Sequence, residues 1–395
     1  MTTDDTTMDS AICIHNATIL TGFSVMKDCA VYIKENKIVD VFSEKRFRQK
    51  QFNPKVQIIN ANGAYIAPGF IDEHIHGIGG YGTDDGDPKS ILAMSEILAA
   101  YGVTSFVPTL YAAKEDEMLK NIRAVVKAMG KEKGAHILGI HLEGPFISKE
   151  RLGVQPEDAV SPVDLELMKR LHKAAKGHIV NMTVAPELKN MRELALYCIS
   201  LNIILQAGHT NATYNQMVEG MQARIMHTTH LFNAMSRMHH RDPGAVGAVL
   251  IHPEMSCEII ADGVHIDPNL IKLLVQDKPL DKLVLITDSL KPTMQKSEPL
   301  LANGEEVYLD KCFYRKSDHV IAGSALTMIQ GVKNLVSFGL THDQAIRLAS
   351  TNPANILKLG GKGVVAPGYD ADIVIFNQDF HIMHTIINGK IFQGD

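Results

Sequence analysis

The stretch AYIAPGFIDEHIH, residues 64–76, reads as an apolar strand that ends on two histidines. Seven further apolar runs follow: TSFVPTL (104–110), AHILGIHLE (135–143), HIVNMTVAPE (178–187), NIILQAGH (202–209), RIMHTTHLF (224–232), MSCEIIADGVH (255–265) and KLVLITD (282–288). Helix punctuation separates most of them. Asp87-Pro88 offers an N-cap and a proline at the first helical position, Ile91, Met94 and Leu98 then share a face, and Gly102 stops the helix. Ser161-Pro162 repeats the start signal, Gly177 the stop, and Thr341 to Gln344 fits a capping box. Strands that alternate with helices pair in parallel, and eight such units over about 290 residues predict an α/β fold, a (β/α)8 TIM-like barrel. The alternative, a doubly wound open sheet, is disfavoured because no G-x-G-x-x-G turn follows the first strand.

The two ends of the chain have another texture. AICIHNATIL (11–20), CAVYIKENKIVDVFS (29–43) and VQIINANGAYI (56–66) are short apolar runs broken by turns, and ADIVIFNQDFHIMHTIINGKIF (371–392) repeats the character. They predict a small β-sandwich domain built from residues 1–66 and 361–395 around a barrel of residues 67–360. The polar opening MTTDDTTMDS is expected to be a disordered tail over residues 1–10.

Composition bounds the function. With 45% hydrophobic and 21% charged residues and a net charge of -5, the chain is an ordinary globular one without the basic field that nucleic acid or an anionic membrane would require. An anionic ligand must therefore be met by a local cation. Five cysteines without a C-x-x-C pair suggest neither a disulfide framework nor a cysteine zinc site, and with no leader or membrane-span pattern a cytoplasmic location is expected. The 18 histidines are the informative excess.

A (β/α)8 barrel carries its active site at the C-terminal ends of its strands. Six of the eight predicted strands end on side chains able to bind a metal or move a proton: His74 and His76, then Glu143, His209, His230, His265 and Asp288. His74 and His76 are two apart in a strand and so leave on one face. Each of His74, His76, Glu143, His209 and His230 alone reads as a solvated loop acid or a satisfied polar or core histidine; all five at the strand ends of one barrel do not. Histidine and carboxylate together suit Zn, Fe or Co. Asp288 is the base candidate, since a carboxylate can take a proton from water whose pKa a nearby ion lowers from about 16 to about 7.

The ordered set PGFIDEHIHG (68–77), HLEGPFIS (141–148), AGHTNA (207–212), HLFNAMS (230–236), RDPG (241–244), ADGVHID (261–267), LITDS (285–289), IAGSALTM (321–328) and GVVAPGYDADIVIFN (363–377) resembles the amidohydrolase superfamily and, within it, the N-acetylglucosamine-6-phosphate deacetylase family. The resemblance implies hydrolysis of N-acetylglucosamine 6-phosphate to glucosamine 6-phosphate and acetate, in amino-sugar catabolism or cell-wall recycling. It implies one or two divalent transition-metal ions per subunit (Zn, Fe, Co or Mn), held by Glu143, His209 and His230 and by His74 and His76, with Asp288 as acid and base. Asn233, Ala234, Arg241 and His265 would contact the sugar phosphate, Ile321, Ala322 and Gly323 would line the sugar pocket, and a homodimer would share phosphate contacts. Where some members place a carbonyl-polarising histidine, twelve residues after the glutamate, this chain has Gln155 after Val154. An amide donates a hydrogen bond without a charge, so carbonyl activation is expected to rest on the metal. The galacto-configured substrate is the nearest alternative; a cyclic-amide hydrolase, a deaminase and a metal-free scaffold on the same fold follow. The fourth strand lacks the lysine that many binuclear relatives carboxylate, and no ligand is missing as a scaffold would require.

Overall fold

The computed structural model describes residues 11–394, so the expected N-terminal tail lies outside the described residues. All eight predicted barrel strands are present: Phe70–Ile75, Val103–Tyr111, Ile140–Glu143, Ile179–Val184, Ile204–Ala207, His227–Thr228, Cys257–Ile260 and Leu283–Ile286. Every hydrogen-bonded pairing among them is parallel. In Val103–Tyr111 all nine residues are buried, as expected for a strand covered on both faces.

Two seams complete the ring. The sixth and seventh strands are joined by Leu231 N–H to Glu258 O (3.0 Å) and Ser256 N–H to Met226 O (3.0 Å). At the eighth-to-first seam, Asp288 N–H bonds His74 O (2.9 Å), and Asp72 accepts from Thr287 N–H and hydroxyl at 3.2 and 2.6 Å. Asp72 is fully buried there, and burial pushes its carboxyl up to about 7.

The first predicted strand is in fact two. Tyr65–Pro68 pairs antiparallel with Ile373–Phe376 in the terminal domain, whereas Phe70–Ile75 enters the barrel beside Val103–Tyr111. Gly69 is the crossing point, where a Cβ would fall 2.2 Å from the Thr104 side chain, so only glycine passes. The terminal domain is one eight-stranded sheet, with Ala11–Leu20 central and strands from both chain ends around it. Its core of Ile14, Ile19, Ile33, Ile66, Ile373 and Ile375 is distinct from the barrel core.

The helix caps lie where the sequence predicts them, with one shift. Asp87 caps Pro88–Ala100 and Thr341–Gln344 forms its box, but Leu165–Ala174 is capped by Asp164, whose carboxylate takes Glu166 and Leu167 N–H; Ser161 lies outside the helix. One element has no counterpart in the sequence reading. After the eighth strand, Leu301–Ala302, Glu305–Asp310, Cys312–Arg315 and Ile321–Gly323 form an antiparallel sheet. Leu290, Ala302, Val307, Phe313 and Tyr111 seat it on the barrel mouth as one apolar cluster. No helix among the described residues is long and apolar enough to cross a membrane.

Candidate active site

The strand ends converge on the carboxylate of Glu143. One of its oxygens, Oε1, lies 3.0 Å from His209 Nε2 and 3.1 Å from His230 Nε2, and those two nitrogens are 3.1 Å apart. The other, Oε2, lies 3.3 Å from His76 Nε2. His74 Nε2 sits 3.4 Å from His76 Nε2, and Asp288 Oδ1 is 3.6 and 3.5 Å from the two. Glu143 thus stands between a His209–His230 pair and a His74–His76–Asp288 group. All six side chains are buried. His209, His230 and Asp288 hold φ of 45°, 28° and 48°, a left-handed backbone that non-glycine residues adopt at a cost and that clusters at functional sites.

The outer hydrogen bonds show which way the lone pairs face. His209 Nδ1 lies 3.0 Å from Arg151 O, and a carbonyl only accepts, so Nδ1 carries the proton and Nε2 turns a lone pair inward. His74 Nδ1 is 2.9 Å from Glu258 Oε2, with the same consequence. Imidazole lone pairs and carboxylate oxygens packed at about 3 Å repel one another unless a cation or proton lies among them. This donor set therefore fits a divalent ion, with Glu143 placed to serve both groups. Electrostatics agrees: burial opposes charge on Glu143, yet His209 and the other imidazoles around it hold its carboxyl well below the usual range. Asp288 goes the other way, pushed well up by burial and by the nearby charge of Glu143. Burial, helped by the neighbouring imidazoles of His76, His230 and His209 and opposed by Glu143, drives His74 well down, toward the neutral, ligating form.

A cavity of about 340 Å³ opens above this centre. Of the residues expected there, His76, Glu143, Val154, Gln155, His209, His230, Asn233, Ala234, His265, Asp288 and Ile321 to Gly323 line it. His265 is oriented by Asp262, whose Oδ2 lies 2.6 Å from its Nδ1. Arg241 does not reach the cavity. It is exposed, with its guanidinium on His240 Nε2 at 2.8 Å, and the adjoining His239 and His240 rings meet at a tilt of 42° with centroids 4.1 Å apart. Gln155 also departs from expectation. Its Nε2 donates to Glu143 Oε2 at 2.5 Å and its Oε1 accepts from Ala112 N–H, so it fixes the Glu143 carboxylate. His141 bonds Thr109 and Thr183 and carries the His74 ring on its edge, which makes it a packed support.

Three contributors belong to no motif. Glu258, fully buried, accepts from His74 Nδ1–H, from His230 N–H at 3.0 Å and from Gln206 at 3.2 Å. Its sequence signal is an acid inside the apolar run SCEII, which a buried strand tolerates only with partners. Tyr111 stacks on His76 at 3.8 Å and walls the cavity. Arg237 is, among the described residues, the one arginine or lysine in the cavity lining, and its guanidinium has no hydrogen-bond or ion-pair partner among them.

Comparison with known proteins follows the same line. Residues 65–392 match the amidohydrolase family. The chain is 35% identical over 392 residues to an N-acetylglucosamine-6-phosphate deacetylase of Bacillus subtilis, covering 97% of this chain and 98% of that one. It is 31% identical over 383 residues to the protein of that name from Lysinibacillus sphaericus, covering 96% and 97%. The crystal structure of N-acetylglucosamine-6-phosphate deacetylase from Pasteurella multocida superposes with a TM-score of 0.90 at 28% identity, covering 98% of this chain and all of that one. The strand-end centre and these full-length similarities agree, and the chain belongs to the amidohydrolase family, in its N-acetylglucosamine-6-phosphate deacetylase branch.

Proposed function

We propose that the chain hydrolyses the acetamide of N-acetylglucosamine 6-phosphate to glucosamine 6-phosphate and acetate. The observation that carries this reading is the inward-facing donor set of Glu143, His74, His76, His209, His230 and Asp288 beneath a cavity whose rim bears the unpaired Arg237. Glu143, His209 and His230 would hold one divalent ion and His74 and His76 a second, Zn, Fe, Co or Mn being the candidates. Such an ion supplies a Lewis acid that polarises the amide carbonyl and acidifies water.

The chain's own residues do the rest. Asp288 takes the proton of the attacking water on Oδ1 and returns it to the departing amine nitrogen, and its raised proton affinity suits both halves of that transfer. Gln155 keeps the Glu143 carboxylate in place. Glu258 holds the tautomer of His74 and the backbone of His230. His265, fixed by Asp262, and Asn233 face the sugar hydroxyls, and the fork of Arg237 meets the phosphate within the chain. Arg241 reaches a phosphate only from the second subunit of a homodimer. Release of acetate from N-acetylglucosamine 6-phosphate by metal-loaded protein, run beside the galacto-configured sugar phosphate, tests the proposal. No release from either, with stoichiometric metal bound, would sink it.

A further inference from the structure

The N-terminal end of the barrel, opposite the strand-end centre, carries a groove of about 470 Å³. It lies where the last four strands begin: Ile204 opens the fifth and His227 the sixth, while Ser256 and Lys282 directly precede the seventh and the eighth. Ile203, Leu205, Met226 and Ile356 give it an apolar wall. Its floor is polar but paired, because Ser256 Oγ lies 2.7 Å from His227 Nδ1 and donates to Met226 O at 3.3 Å. Recognition of a charged group is left to the rim.

Three cations stand on that rim. Arg224 and Lys358 make no side-chain hydrogen bond or ion pair among the described residues, and Lys282 has only Asp281 at 3.9 Å. Among the described residues the one carboxylate in the lining is Glu254, and it is turned to His252 at 3.4 Å. The backbone beneath two of the cations is costly. Arg224 and Lys358 stand two positions past the helices Tyr214–Gln222 and Asn352–Ile356 with φ of 68° and 57°, and Asn202 does the same at 61° past Met191–Ser200. Glycine is the usual residue at that place. A cation complements a helix C-terminus from anywhere in the last turn, so the dipole does not call for one on a left-handed residue. Here three such positions each bring a hydrogen-bond donor to one groove.

We propose that this groove binds a phosphate ester with an apolar body, at a site separate from the catalytic cavity. Arg224 offers the planar fork that meets two phosphate oxygens, and Lys282 and Lys358 add charge. A doubly charged phosphate matches three cations set against one carboxylate. The apolar body lies on Ile203, Leu205, Met226 and Ile356, and the volume is within the range of small-molecule sites. The groove and the catalytic cavity share no lining residue, so the occupant does not compete with the catalytic substrate.

Calorimetric titration of the metal-loaded protein with AMP, a phosphate ester that carries a flat apolar base, tests the site. Ribose 5-phosphate, the same ester without the base, is titrated beside it. One AMP per chain is expected, bound about tenfold tighter than ribose 5-phosphate because the base covers the apolar wall. Arg224→Gly and Lys358→Gly each remove a cation and suit the left-handed backbone, so folding is kept. Each is expected to weaken AMP about tenfold while Tm, kcat and KM stay as they were. Arg237→Ala is expected to leave AMP binding unchanged, and AMP to leave KM for the catalytic substrate unchanged. No AMP binding, AMP no tighter than ribose 5-phosphate, or binding unmoved when Arg224→Gly and Lys358→Gly are combined overturns the site. So does competition between AMP and the catalytic substrate, or loss of AMP binding in Arg237→Ala, since either puts the ligand in the catalytic cavity.

Discussion

Two sets of buried polar side chains share the barrel interior, and they are wired differently. In one, each histidine has a complement: His227 joins Ser256 Oγ at 2.7 Å to Glu73 Oε1 at 3.0 Å, Asp72 takes both donors of Thr287, and His141 lies between two threonine hydroxyls, with Glu73 Oε2 alone left over. Burial pulls the His227 imidazole down, but its bond to Glu73 more than offsets this and leaves it raised. In the other set, at the strand ends, acceptors face acceptors: four Nε2 atoms, Glu143 and Asp288 crowd together while His76 Nδ1 and His230 Nδ1 have no partner. The first set pairs donors with acceptors within the chain and serves stability. The second is complete only with something added, and serves chemistry.

Removal of metal is the most severe way to break this contrast. A chelator is expected to abolish acetate release, with Zn, Mn, Fe or Co restoring it, while metal analysis and thermal unfolding report a stabilising ion lost and regained. A chelated protein that unfolds as the loaded one does would contradict a metal at the strand ends. Next comes Asp288→Asn, expected to lower kcat about a thousandfold with KM nearly unchanged, because the proton carrier alone is lost. Steady-state kinetics checks the split.

The paired set predicts the converse. His227→Ala leaves Glu73 buried without its partner and is expected to lower unfolding free energy by about 3–5 kcal/mol, with kcat/KM of the remaining folded protein changed less than about threefold. Denaturant titration beside kinetics measures both.

A smaller effect comes from pH. The Asp288 carboxyl keeps its proton in the folded metal-free protein to a higher pH than in the unfolded chain. Between those two values the folded state binds more protons, so stability falls as pH rises from about 4, and the contribution is fully present below that. Asp288→Asn is expected to flatten this fall, as thermal scans across pH 4 to 8 on metal-free protein would show. The smallest concerns the rim. Arg237→Ala is expected to raise KM for the sugar phosphate about tenfold with kcat kept, and to leave binding of unphosphorylated N-acetylglucosamine as it was. If Arg241→Ala does the same, the phosphate is held by both arginines and the second subunit is part of the site.

Much of this was legible without coordinates, for a physical reason. Strand and helix periods, caps such as Asp87 and Thr341, and side chains placed at strand ends are local properties, and local spacing encodes them. From these the eight strands and the candidate ligands from His74 to Asp288 could be read. The residues that escaped act through space between distant segments. Glu258 reaches His74 across 184 positions, and only the closed barrel makes them neighbours. Gln155 turns to Glu143 because Ala112 fixes its other end. Arg237 rather than Arg241 lines the cavity because the intervening loop turns back on itself through paired backbone bonds between His239 and Asp242. The split of residues 64–76 at Gly69 depends on where Thr104 lies. The sequence by itself determined which chemistry is available and at which strand ends. The tertiary structure decided which groups are paired, which are left facing one another, and how the antiparallel sheet closes the cavity, because burial and contact are properties of segments brought together, not of any one of them.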